Sequence, residues 1–136
     1  MPYLLDTDSA SLAFEGNERV RSRIRQASGV WLSSIAAEER VRGALNLIQK
    51  SRDKPSLPAA QDFLTRLLVD ISSYDIHPYN EQAARIFASF SAQVKRVGSQ
   101  DCRIAASVIA AGWIVVTANQ KDFSRILGVQ FEDWSR

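Results

Sequence analysis

The strongest constraint on the fold of this chain is a rhythm: short apolar runs of strand length separated by longer stretches of helical period. Residues 3–5 (YLL), 30–34 (VWLSS) and 113–116 (WIVV) are compact, β-branched or aromatic runs, and YDIH at 74–77 is a weaker fourth. Between them apolar side chains recur at helical spacing: Val41, Leu45, Ile48; then Ala60, Phe63, Leu64, Leu67, Leu68, Ile71; then Ala83, Phe87, Phe90, Val94, Val97. These stripes predict core-facing helix surfaces. KSRDKPSLP at 50–58 carries two prolines and several charges between two such stripes, which predicts an inter-helix loop rather than a domain linker. Strands that alternate with helices predict a three-layer α/β domain with a mostly parallel central sheet flanked by helices. With 136 residues, 46% of them hydrophobic, the chain fits one domain over 1–136 around a single core.

Several function classes drop out at once. No window approaches 18 uninterrupted apolar residues, and the N-terminus lacks a basic segment followed by an apolar stretch, so neither a membrane span nor a signal peptide is expected and a cytoplasmic protein is. Cys102 is the only cysteine, which excludes an internal disulfide and a cysteine-built zinc site. His77, the only histidine, precedes Pro78 and is expected at a strand end rather than in a catalytic relay. Trp31, Trp113 and Trp134 are expected to pack in the interior rather than to stack on bases.

Charge is unevenly spread. Residues 19 to 54 hold nine basic side chains (Arg19, Arg21, Arg23, Arg25, Arg40, Arg42, Lys50, Arg52, Lys54) against three acidic ones, a local excess of +6. Such an excess suits a polyanion such as nucleic acid. Solvated helix faces account for it equally well, because Arg19 to Arg25 alternate along the chain and cannot share one helix face.

In an open α/β sheet, ligands gather at the carboxyl ends of the strands. Three predicted strands end in groups able to meet a metal or phosphate: Asp6-Thr7-Asp8, Ser33-Ser34, and Thr117 with Asn119. Glu38 and Glu39 are expected in the first helical turn after Ser34. Asp101 follows Gly98-Ser99, a predicted turn and N-cap, and Asp122 follows the strand ending in VTAN. Helix capping accounts for any one of these acids at about 0.3–1 kcal/mol, but not for their convergence on one edge. Carboxylates brought together raise one another's pKa unless a cation sits among them. An all-oxygen set without cysteine selects a hard ion, Mg2+ or Mn2+, whose chemistry suits hydrolysis of phosphoryl or phosphodiester bonds.

LLDTDS resembles the opening motif of haloacid-dehalogenase phosphatases, but their later lysine and acidic motifs have no room in the 19 residues after Thr117. Signal-receiver domains need an acid ending a mid-chain strand, and Asp53 lies in the loop SRDKP instead. A third resemblance runs along the chain: LLDTDS, SSIAAEERVRG at 33–43, QDCRIAASVIAAGWIVVTANQKDF at 100–123 and the terminal LGVQFEDW are together similar to PIN-domain ribonucleases, most closely the VapC toxins of type II toxin–antitoxin pairs. The resemblance implies a PIN-like fold and assigns Asp6 as the first metal-binding acid. Glu39, four residues before Gly43, becomes the second and Asp101 the third. The fourth falls at Asn119 or Asp122 among family members, and Asp122 is the acid this chain offers. Thr117 and Asn119 are implied as hydrogen-bonding supports for water or the phosphate; Thr7, Asp8 and Ser34 are further supporting candidates, for which helix capping or turn chemistry is an equally good account.

What the family does is then the expectation for this chain: an Mg2+- or Mn2+-dependent endoribonuclease that hydrolyses RNA, often transfer RNA. It would act as the toxin of a pair, be inhibited by a VapB-like antitoxin and form a homodimer. Arg19, Arg23, Arg42, Lys50 and Arg52 are the candidate contacts to the RNA backbone. Setting aside the four acids leaves a net charge of +6, which suits RNA around an acidic pocket. The alternative is a non-catalytic module of the same fold that binds metal or RNA without turnover.

Overall fold

A computed structural model describes residues 2–136. In chain order the elements are β1 (Tyr3–Leu5), α1 (Thr7–Phe14), α2 (Glu18–Gln26), β2 (Val30–Ser33), α3 (Ser34–Lys50), α4 (Leu57–Ser72), β3 (Asp75–His77), α5 (Glu81–Ser89), α6 (Ala92–Lys95), α7 (Ser99–Ala111), β4 (Ile114–Val116), α8 (Gln120–Phe123) and β5 (Gln130–Glu132). The strands form one sheet in the order β3-β2-β1-β4-β5, and every pairing is parallel.

Strand alternation explains the three layers. Leu4 and Val115 stand opposite each other in register on one face, where they pack with Ile35, Cys102, Ile104, Val108 and Phe123. Their neighbours Leu5 and Val116, with Leu32, point to the other face and pack with Ala10, Ala13, Val20 and Trp134. A strand buried on both faces reads as a continuous apolar run, which is why YLL, VWL and IVV carry no polar alternation. The inner face of α1 and α2 is made of small residues around Val20, and Trp134 closes it, its ring centre 4.9 Å from that of Tyr3 in an edge-on arrangement.

The predicted strands at 3–5, 30–34 and 113–116 are present, the second ending at Ser33 and the last starting at Ile114, and YDIH supplies the edge strand β3 from Asp75, with His77 at its end. The loop between α3 and α4 falls inside 50–58 as the prolines suggest. Four local expectations change. The stripe from Ala83 to Val97 breaks into α5 and α6, because Phe90 turns extended and Ser91 caps the next helix through the Val94 amide. Leu45 and Leu68 are about half exposed, the buried α3 positions being Ile35, Ala36, Ala44 and Ile48. α1 directly follows Asp6, where the sequence suggested a turn. Finally β5, a three-residue edge strand with one apolar side chain between Gln130 and Glu132, lies beyond the four predicted.

Trp134 is 1% exposed and Leu127 is 96% exposed. Trp134→Ala should therefore cost about 3–5 kcal/mol, the range for a large buried ring, while Leu127→Ala should stay within about 0.5 kcal/mol. Urea titration followed by far-UV circular dichroism checks both, and equal losses would contradict the packing described.

Candidate active site

The strand order makes β1 and β4 the switch point of the sheet. After β1 the chain turns to the layer of α1 and α2, and after β4 it turns to the layer where Phe123 and Ile126 pack with α7. A crevice opens between two such departures at the carboxyl ends of the strands. Asp6 ends β1 there, held by its backbone amide to the Val116 carbonyl at 3.1 Å, and Thr117 ends β4 beside it. Asp6 is 2% exposed and Thr117 is fully buried.

Asp6 is also the N-cap of α1, its Oδ1 accepting from the Ser9 amide at 2.8 Å. The Thr117 hydroxyl adds a second donor. These bonds favour the charged form but do not offset the loss of water, and burial pushes the carboxyl from 3.8 up to about 6. Asp101 sits in the first turn of α7, which Gly98 opens with a φ of +144°, a conformation closed to residues with a Cβ. Gly98 rather than Ser99 is thus the cap position. The Asp101 carboxyl also rises to about 6, first through burial and then through the charges of Glu39, Asp8 and Asp122, with a hydrogen bond from Asn119 opposing.

The remaining acids are oriented by neutral donors. Thr7 Oγ1 donates to Glu39 Oε1 at 2.7 Å, joining α1 to α3 across the crevice. Asn119 Nδ2 donates to Asp122 Oδ2 at 2.7 Å, and the Asn119 amide donates to Thr117 Oγ1 at 2.9 Å. Since that hydroxyl oxygen accepts from Asn119, its own proton is left for Asp6. Glu38 and Glu39 lie in the second turn of α3, not the first, and the geometry separates them. Glu38 is exposed and paired with Arg42 one turn on, and it accepts from Gln100 at 3.4 Å. Glu39 faces Thr7 and lies close enough to Asp101 to raise its pKa. Ser33 rather than Ser34 caps α3, through the Ile35 and Ala36 amides. Asp8 is exposed in the first turn of α1, near enough for its charge to reach both Asp6 and Asp101.

Asp6, Glu39, Asp101 and Asp122 thus come to one edge. Among the described residues none of the four is ion-paired. Nor is any group of three His, Cys, Asp or Glu side chains among those residues already gathered tightly enough to enclose a metal ion. The donor set still fits a hard divalent ion: all ligands are oxygen, and two acids are held near 6 with, among the described residues, no ion-pair partner to relieve them.

The predicted backbone contacts scatter. Arg23 pairs with Glu132 at 3.1 Å and lies over the Trp134 ring, and Arg42 is taken by Glu38. Arg19 is exposed on α2, where it lines a groove of about 620 Å3 with Arg23, Arg25 and Arg136. Lys50 and Arg52 are exposed at the far end of α3, at Lys50 roughly 16 Å along the helix from Glu39 at about 1.5 Å per residue. Arg40, beside Glu39, was not singled out by the sequence, yet it alone of these arginines lines a cleft together with Glu39 and Thr7.

The PIN domain family model matches residues 3–128. A tRNA(fMet)-specific endonuclease VapC from Salmonella typhimurium is 29% identical, with 98% of each chain covered. Ribonuclease VapC2 from Haemophilus influenzae is 30% identical, again over 98% of each. Among solved structures, a DNA-bound VapBC complex from Salmonella typhimurium contains a chain that superposes with a TM-score of 0.80 at 28% identity, covering 98% of both chains. The acid-lined switch point and these matches along nearly the whole length agree: the chain belongs to the PIN domain family and, within it, to the VapC proteins.

Proposed function

We propose that this protein is an Mg2+- or Mn2+-dependent endoribonuclease and the toxin of a toxin–antitoxin pair. The observation that carries the reading is the convergence on the β1–β4 switch point of four acids with no ion-pair partner among the described residues, two of them with pKa values raised to about 6, Asp6 chiefly by burial and Asp101 by burial and the charges of Glu39, Asp8 and Asp122. Asp6, Glu39, Asp101 and Asp122 would hold the ion, one or two of them directly and the others through water. Once bound, the ion supplies positive charge against the phosphate oxygens and lowers the pKa of nearby water. The chain's own groups prepare that arrangement. The Thr7 hydroxyl fixes the Glu39 carboxylate, the Asn119 amide fixes Asp122 and reaches Asp101, and Thr117 donates to Asp6.

The printed names of the VapC relatives, a ribonuclease and a tRNA(fMet)-specific endonuclease, support RNA as the substrate and transfer RNA as the first class to try. The VapBC complex supports a VapB-like antitoxin as the partner, and a homodimer is proposed on the family resemblance. Among the described residues no helix is long and apolar enough to cross a membrane, which is compatible with the cytoplasmic setting proposed here.

Asp6→Asn and Asp101→Asn should each lower metal-dependent cleavage of total RNA by at least about a hundredfold, with the circular dichroism spectrum unchanged. Excess chelator should do the same to the wild type, and full cleavage in chelator would overturn the reading. Glu39→Gln should reduce the rate far more than Glu38→Gln, since Glu38 is engaged with Arg42 at the surface. A reversed ranking would move the second acid to Glu38.

Stability should follow the same charges. Asp6 and Asp101 have folded values of about 6 against 3.8 for the free side chain, so the folded state holds those protons more tightly. The stability this confers is full below pH 3.8 and is lost as pH rises through about 6. In metal-free buffer, Asp101→Asn should therefore gain Tm relative to wild type as pH goes from 4 to 7. Mn2+ should raise the wild-type Tm more at pH 7 than at pH 5, and thermal melts in which neither trend appears would remove the electrostatic basis of the site.

A further inference from the structure

Arg40 follows Glu39 on α3 but turns toward α1 and α4. Its guanidinium carbon lies 5.8 Å from the ring centres of both Phe14 and Phe63. Its Nε is buried without a hydrogen-bond partner, and among the described residues no carboxylate is ion-paired with it. A buried donor left unmade is costly, and two aromatic faces offset that only in part. Arg40 also stands between two clefts. One, of about 450 Å3, is shared with Thr7, Glu39 and Phe63. The other, of about 340 Å3, is shared with Phe63, Glu15 and Asp70, whose carboxylates do not reach ion-pairing distance.

We propose that Arg40 anchors a backbone phosphate of the RNA next to the scissile bond, an inference that rests on the nuclease reading above. A guanidinium lodged over two rings has given up part of its freedom before it binds, and its forked donors match the oxygens of a phosphate. The cleft it shares with Glu39 has the volume of a nucleotide-sized group. A phosphate seated on Arg40 therefore leaves the neighbouring linkage at the acid edge, close to the Thr7–Glu39 pair. RNA is favoured over an acidic peptide because a peptide carboxylate would meet Glu39 with no cation between them. RNA binds together with the divalent ion that the acids take. Arg40 is thus a positioning residue for substrate, separate from the four acids.

The test uses full-length protein and a short single-stranded RNA in two assays. In steady-state cleavage with Mn2+, Arg40→Gln should raise KM about tenfold, the cost of one lost charge-assisted contact, with the larger share of the loss in KM rather than kcat. The slope of log(kcat/KM) against log[salt] should fall by about 0.7, the value for one phosphate contact on a single strand. Arg40→Lys should recover the salt slope and part of the KM. Fluorescence anisotropy in the Asp6→Asn background, with and without Arg40→Gln, should show the same loss of affinity without turnover. A variant that merely loosens the fold would leave the salt slope unchanged, and an unchanged slope with unchanged KM overturns the proposal. Unchanged RNA affinity with weakened binding of an acidic peptide overturns it as well, by assigning Arg40 to a protein partner. Absence of cleavage by the wild type would instead count against the nuclease reading itself.

Discussion

A carboxylate withdrawn from water between two central strands is the constraint on which the rest of this molecule turns. Asp6 ends β1, ties itself to β4 through the Val116 carbonyl, and starts α1 by accepting from Ser9. Strand pairing, helix initiation and the chemistry of the edge thus meet in one residue. Burial that would ordinarily count against an acid is tolerated because the first turn of α1 and the Thr117 hydroxyl supply donors. They do not suffice to bring it back to its ordinary value. The residual penalty is what gives a cation something to relieve.

The same tension is maintained across the crevice. Each acid is positioned by a hydroxyl or an amide, never by an arginine, among the described residues. A guanidinium paired with Glu39 or Asp101 would lower the local repulsion and close the site to a metal ion. The arginines are instead spent on outward carboxylates: Arg42 on Glu38, Arg23 on Glu132, Arg66 on Asp62 and Arg85 on Glu81. Exposed pairs of this kind contribute about 0–1 kcal/mol each, so their consequence is less for stability than for where the uncompensated charge remains. It remains at the carboxyl edge of the sheet.

The parts of this arrangement that were legible from sequence are those that depend on long-range pattern. Apolar strands buried on both faces announce themselves as YLL, VWL and IVV, and their alternation with helices leaves parallel pairing as the economical solution. Placing Asp6, Asp101 and Asp122 at strand ends or helix starts follows from the same reasoning. α1 was not legible because its inward positions are Ser9, Ala10 and Ala13, small residues that raise no hydrophobic stripe. β5 is too short and too polar to stand out. The choice between Glu38 and Glu39 escaped periodicity because Glu38 lies nearer the apolar stripe. Yet the spacing of Glu38 and Arg42, one helical turn apart, already offered an ion pair that would draw Glu38 outward. Arg40 was counted as one charge among nine, since composition gives the sum of a patch and not which member loses its water.

That last distinction bears on how a basic protein can cut a polyanion at an acidic centre. A net excess of positive charge attracts a polyanion from a distance, but screening within about 10 Å at moderate salt leaves it little control over register. Register requires a cation with a fixed position relative to the acids. Arg19, Lys50 and Arg52, exposed to solvent, do not satisfy that condition. Arg40 meets it best, because its guanidinium lies over Phe14 and Phe63 while α3 carries it next to Glu39 in the chain. Attraction and alignment are then served by different arginines. The division follows from packing: only a guanidinium already stripped of part of its water, and held there by the core of the α1–α3–α4 layer, has both the need and the geometry to hold one phosphate in place.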